Sequence, residues 1–150
     1  MSENPEEKIN IPQMPWFKAL TLIEPYIFKI STPISSGTGF QISYYQNTKL
    51  CAIATAYHVI WHAEKWGEPI EITHYSSKKV TMLRAGRGNR AIIIHPKQDL
   101  AFIVYATKEN LLQLNLKLID PQKYLRPGHE LGWCGFPAVE SSKLCFFLDT

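Results

Sequence analysis

Short apolar runs set the rhythm of this chain, and most of them alternate with polar positions. Tyr26-Ile27-Phe28-Lys29-Ile30 and Gly39-Phe40-Gln41-Ile42-Ser43-Tyr44-Tyr45 have a period near two, which predicts strands with one face buried. Gln46-Asn47-Thr48 reads as a turn, and residues 49–55 return as a third strand. Residues 70–74, 80–84, 91–94 and 100–105 continue the series. Gly67, Ser76-Ser77 and Gly86-Arg87-Gly88-Asn89 supply the turns between them. Residues 131–136 and 144–148 are the last two strand candidates. Residues 57–66 suit a short helix, residues 16–23 one or two helical turns, and residues 108–114 a brief helix or a loop. Many short strands at regular spacing predict an all-β barrel or sandwich.

Length and composition narrow this picture. A chain of 150 residues with 45% hydrophobic content fits one domain with a sizeable core. No apolar run approaches the ~20 residues that span a bilayer. The start, Met1-Ser2-Glu3-Asn4-Pro5-Glu6-Glu7-Lys8, is acidic and polar, unlike a signal peptide, so the expected location is cytoplasmic. Pro5, Pro12 and Pro15 mark residues 1–15 as a tail. A net charge of +3 is too mild to imply nucleic acid. Cys51, Cys134 and Cys145 are an odd, sparse set and read as reduced thiols rather than a disulfide framework. The chain stops just after the apolar Phe146-Phe147-Leu148, and a final strand with no following partner would leave an open edge.

Chemistry concentrates at two places. The run Leu50-Cys51-Ala52-Ile53-Ala54-Thr55-Ala56-Tyr57-His58 delivers a histidine at its end. Gln98-Asp99-Leu100-Ala101-Phe102 sets an acid at the mouth of another apolar strand. A catalytic imidazole needs a carboxylate behind it to fix its tautomer and stabilise its charged form. His58 and His62 share metal-ligand spacing, but Val59 stands where a zinc protease has glutamate, so His62 reads as an ordinary helix residue. Lys78, Lys79, Arg84, Arg87 and Arg90, with Tyr75 nearby, could touch a nucleic-acid backbone. They read more simply as the protruding charges of a solvated hairpin.

Four segments resemble one family. Ser36-Gly37-Thr38-Gly39-Phe40, Thr55-Ala56-Tyr57-His58-Val59, Asp99-Leu100-Ala101-Phe102-Ile103, and Leu125-Arg126-Pro127-Gly128 followed by Gly135-Phe136-Pro137 resemble the motifs of trypsin-like serine peptidases. The likeness is to the HtrA/Do-like group in particular, with Tyr57 standing where that group has a small residue. It implies a six-stranded trypsin-like β-barrel over residues 25–120 and the first strands of a second barrel over 121–150, after a tail at 1–24. It also implies a polypeptide substrate, no metal or cofactor, His58 as general base and Asp99 as its orienting acid.

The family's nucleophile loop, Gly-x-Ser-Gly, does not occur after Asp99. Ser141 and Ser142 lack flanking glycines and read as a turn; Ser35 and Ser36 read as strand-edge residues. Gly132-Trp133-Cys134-Gly135 resembles the loop of viral chymotrypsin-like cysteine proteases, yet Cys134 follows Asp99 by only 35 positions (134 − 99) and falls in a predicted strand. Two functions follow from the resemblance. One is a serine endopeptidase whose serine comes from sequence beyond Thr150 or from a second chain. The other is a non-catalytic module that binds peptides or a partner.

Overall fold

The computed structural model describes residues 15–86, 88–113, 127, 131–136 and 143–149. Side-chain alternation builds most of it. Strand β1 (Ile27–Ser31) puts Phe28 and Ile30 inward, and β4 (Ile70–His74) does the same with Ile70, Ile72 and His74. In β2 (Ser36–Tyr45) the inward parity runs through Gly37, Gly39 and Gln41, then jumps to Tyr44. The register against β3 (Leu50–Ala56) slips between Gln41 and Ser43. One extra residue in a bulge reverses which face a strand presents, so Tyr44 turns inward where strict alternation would expose it. Phe28, Ile30, Ile53, Ile60, Ile70, Ile72 and Ile103 form the dry centre, each burial worth about 1.5–3 kcal/mol. A methyl on Gly39 would lie 2.6 Å from both Ile30 and Ile53, so glycine lets those two side chains meet.

The remaining strands of this sheet are β5 (Val80–Leu83), β6 (Ala91–His95) and β7 (Leu100–Ala106). All seven pair antiparallel, in the order β5-β4-β1-β2-β3-β7-β6. Sequence neighbours β5 and β6 therefore occupy opposite edges. Six spacings of about 4.8 Å would separate those edges by about 29 Å if the sheet lay flat. Eight residue steps (91 − 83) reach at most about 26–29 Å fully extended, and positive φ angles at Gly86 and Gly88 bend the connection back. The sheet must curl to bring its edges together, and it forms a half-barrel. The resemblance implied a six-stranded barrel; the chain makes one curled antiparallel sheet of seven strands, with β5 and β6 not paired to each other.

Arg90 bridges the corner where the edges meet. Its Nη1 donates to the carbonyls of Glu68 (2.6 Å) and Leu83 (3.0 Å), and its Nη2 to that of Ala63 (3.2 Å). The side chain is 5% exposed, so the expectation of a solvated charge fails at this residue. Burial lowers its pKa, and nearby Glu64 works against that shift.

The described residues include two α-helices. Helix α1 (Trp16–Ile23) precedes a 3-10 turn at Glu24–Tyr26. Helix α2 (Tyr57–Trp66) buries Val59, Ile60 and Ala63 and ends at Gly67, whose φ of 65° allows its N–H to reach the Ala63 carbonyl. The last strands, β8 (Leu131–Gly135) and β9 (Cys145–Asp149), pair with each other as a second, two-stranded sheet. β9 pairs with β8 along one edge, and among the described residues its other edge has no partner strand. Phe136 ties this unit to the large sheet: its N–H donates to Thr38 Oγ1 at 2.8 Å, and its ring lies against Tyr75. Residues 107–113 cross as irregular chain rather than helix. Residues 1–14 of the predicted tail, Ser141, Ser142 and all of Leu125-Arg126-Pro127-Gly128 except Pro127 fall outside the described residues. No helix among the described residues is long and apolar enough to cross a membrane.

Candidate active site

Strand register brings His58 and Asp99 together. β3 and β7 align Ala56 with Leu100 and Thr55 with Ala101, so the residue entering β7 sits beside the first turn of α2. Helix α2 begins with no side-chain cap from Ala56, and Asp99 fills that role from across the sheet. Its carbonyl accepts the Tyr57 N–H (3.1 Å), and its Oδ1 accepts the His58 N–H (2.8 Å). Its Oδ2 meets His58 Nδ1 at 2.6 Å. Asp99 adopts a left-handed backbone (φ 49°, ψ 44°), which aspartate tolerates better than most residues.

These contacts fix the chemistry of the imidazole. An ionised carboxylate only accepts, so Nδ1 carries a proton, and in the neutral ring the lone pair is on Nε2. The side chains are 69% and 51% exposed. Among the described residues nothing hydrogen-bonds Nε2, which leaves a base pointing at open space. The bond from the His58 ring holds the Asp99 carboxyl below the ordinary carboxylate range, and the His58 and Tyr57 N–H groups add to it.

His62, one turn on, donates through Nδ1 to Glu68 Oε2 at 2.8 Å. Carboxylates thus hold the two imidazoles from opposite ends of α2 and draw them apart. Among the described residues no group of three or more His, Cys, Asp or Glu side chains is placed to hold a metal.

Two of the three thiols, Cys51 and Cys134, are poorly placed for attack. Burial pushes Cys51 up to about 12, against a hydrogen bond from Tyr105 that lowers it. Cys134 lies inside β8 rather than on a loop, and burial raises its pKa too, with Glu24 adding to the shift. A nucleophilic thiol needs the opposite environment, so the Cys134 reading loses its physical basis. The basic stretch does not form one face: Lys78 stacks over Tyr75 at 3.8 Å, Lys79 and Arg84 are exposed, Arg90 is internal, and Arg87 is outside the described residues.

One buried polar cluster escaped sequence reasoning. His74 donates through Nε2 to the Pro25 carbonyl (2.7 Å), and its Nδ1 faces Glu109 Oε1 and Ser77 Oγ, both at 3.1 Å. Ser77 donates to the same Glu109 oxygen at 2.6 Å. Both ends of the imidazole are occupied, so this histidine fastens chain rather than serving as a base. The inward parity of Ile70, Ile72 and His74 was the available signal for its burial; Glu109, in an irregular segment, carried none.

No protein-family model matches the chain, and no curated protein or solved structure matches it either.

Proposed function

We propose that this chain contributes the histidine and aspartate of a trypsin-like serine endopeptidase, which hydrolyses peptide bonds through an acyl-enzyme. The observation that carries the reading is the His58 Nδ1 to Asp99 Oδ2 contact at 2.6 Å, with Nε2 left open. The curled antiparallel sheet and the Gly39, His58, Asp99 and Gly135 segments support it in the order the family uses them.

In this reading a serine hydroxyl arrives at Nε2 from outside the described residues or from another chain. As its oxygen bonds to the scissile carbonyl carbon, its proton passes to Nε2. Asp99 stabilises the imidazolium that forms. The imidazolium then gives that proton to the leaving amine as the C–N bond breaks, and water repeats the sequence to release the acid. Backbone donors on the serine's own loop would hold the oxyanion.

The test is fluorophosphonate labelling of the protein as isolated from its host. A labelled serine, with labelling lost in His58→Ala at unchanged circular dichroism, supports the proposal. Equal labelling of the variant, or no reactive serine at any pH in the folded protein, sinks it.

The openness of Nε2 among the described residues also favours a second reading, a peptide-binding module that retains the pair without turnover. It predicts peptide binding that survives His58→Ala.

A further inference from the structure

Helix α2 carries more than His58 on its outer face. Its inner stripe of Val59, Ile60 and Ala63 is buried, which turns His58, Trp61, Lys65 and Trp66 outward. Lys65 follows His58 by seven positions, so it lies on the same side of the helix, about 10.5 Å along the axis. Trp61 is 40% exposed and Trp66 64%. The Lys65 ammonium lies 6.0 Å from the Trp61 ring centroid and 5.3 Å from that of Trp66. Two indoles thus flank one cation on a surface continuous with the general base.

The charges around this face are otherwise paired. Glu68 is held by His62, and Glu64 approaches Arg90 at 3.9 Å. Lys65 makes no ion pair among the described residues. Exposed aromatic rings around an unpaired cation are what an acidic, partly apolar segment would fit: the rings take its hydrocarbon and partly shield the ion pair from water.

We infer that the Trp61–Lys65–Trp66 face of α2 docks an acidic side chain of a polypeptide whose peptide bond lies at His58, about three residues of extended chain away. The inference rests on the peptidase reading and names a sequence preference for it. Helix-end stabilisation alone would explain a lysine in the last turn. It would not require two exposed indoles beside that lysine.

The experiment uses pairs of extended octapeptides, identical except for Glu or Lys at one scanned position. Affinity is read from tryptophan emission, and occupancy of the base from the His58 imidazole signals in NMR. At low salt the best Glu peptide binds about fivefold more tightly than its Lys counterpart, the upper range for a partly exposed ion pair, and high salt erases the difference. Lys65→Gln removes the preference and Lys65→Glu reverses it, while Trp61→Ala weakens both peptides and narrows the gap between them. Circular dichroism checks that each variant keeps its helix.

Peptides that move the His58 signals with no charge preference, or with one that survives Lys65→Gln, overturn this inference and leave the peptidase reading standing. Acidic peptides that bind but leave His58 unmoved overturn both. Failure of every peptide to bind, or binding of anionic vesicles instead, overturns the docking of a polypeptide here.

Discussion

Asp99 makes three bonds with one short side chain and its own carbonyl, and each constrains a different atom of the first turn of α2. Asp99→Asn would keep an oxygen for the His58 N–H but present an amide NH2 to Nδ1. The ring would then take the other tautomer, with Nε2 protonated and useless as a base. In the peptidase reading the reaction rate with a fluorophosphonate falls on the order of 10⁴-fold, the loss known for the same change in chymotrypsin-type triads. A pH signature accompanies it. The folded pKa of Asp99 lies below the unfolded one, so its share of stability is present above the ordinary value of about 3.9. That share is lost as pH falls through the lower folded value. Urea midpoints measured against pH should show this acid-side decline in the parent and a shallower one in Asp99→Asn. Both residues were legible in the sequence because each stands at the end of an apolar strand, where alternation stops and a polar side chain has a reason to be. Arg90 was not legible. Nothing in Arg84-Ala85-Gly86-Arg87-Gly88-Asn89-Arg90 separates the arginine that turns inward from its neighbours, because carbonyls outside that stretch, those of Ala63, Glu68 and Leu83, decide it.

Among elements, periodicity was a good guide to existence and a poor guide to partnership. Strands expected at 26–30, 49–55 and 91–94 appear at Ile27–Ser31, Leu50–Ala56 and Ala91–His95, shifted or extended by one residue. That β5 and β6 would lie on opposite edges could not be read, since side-chain alternation carries no information about which strand lies alongside. The seam they leave is held by a side chain instead of a backbone ladder. Arg90→Ala should destabilise the fold by about 3 kcal/mol in urea denaturation, since it strips a charged donor from three part-buried carbonyls. Arg90→Lys should recover less than half, because an ammonium lacks the planar fork that reaches Glu68, Leu83 and Ala63 together. At the other crowded point, Gly39→Ala would drive a methyl into Ile30 and Ile53 at 2.6 Å and cost about 1–3 kcal/mol by the same measurement.

On the scale of the whole molecule, the chain leaving β7 is lashed to the sheet by side chains from β2, β4 and the turn after β4. Gln41 Nε2 donates to the Leu112 carbonyl, Tyr44 to that of Glu109, and the Glu109 carboxylate meets His74 and Ser77. Glu109→Ala should free residues 107–112, seen as faster amide exchange there than in the β3–β7 ladder. The connection from β5 to β6 has the opposite character: it is short and glycine-bearing, exposed at residues 84–86, 88 and 89, yet it joins two edges of a curled sheet. Severing the backbone between Gly88 and Asn89 would put His58 on one fragment and Asp99 on the other. Neither piece could then poise the imidazole alone. Co-expressed, the halves would recover the 2.6 Å contact only by completing each other's sheet through the β3–β7 ladder. The dyad would become a reporter of reassembly, dependent on fragment concentration.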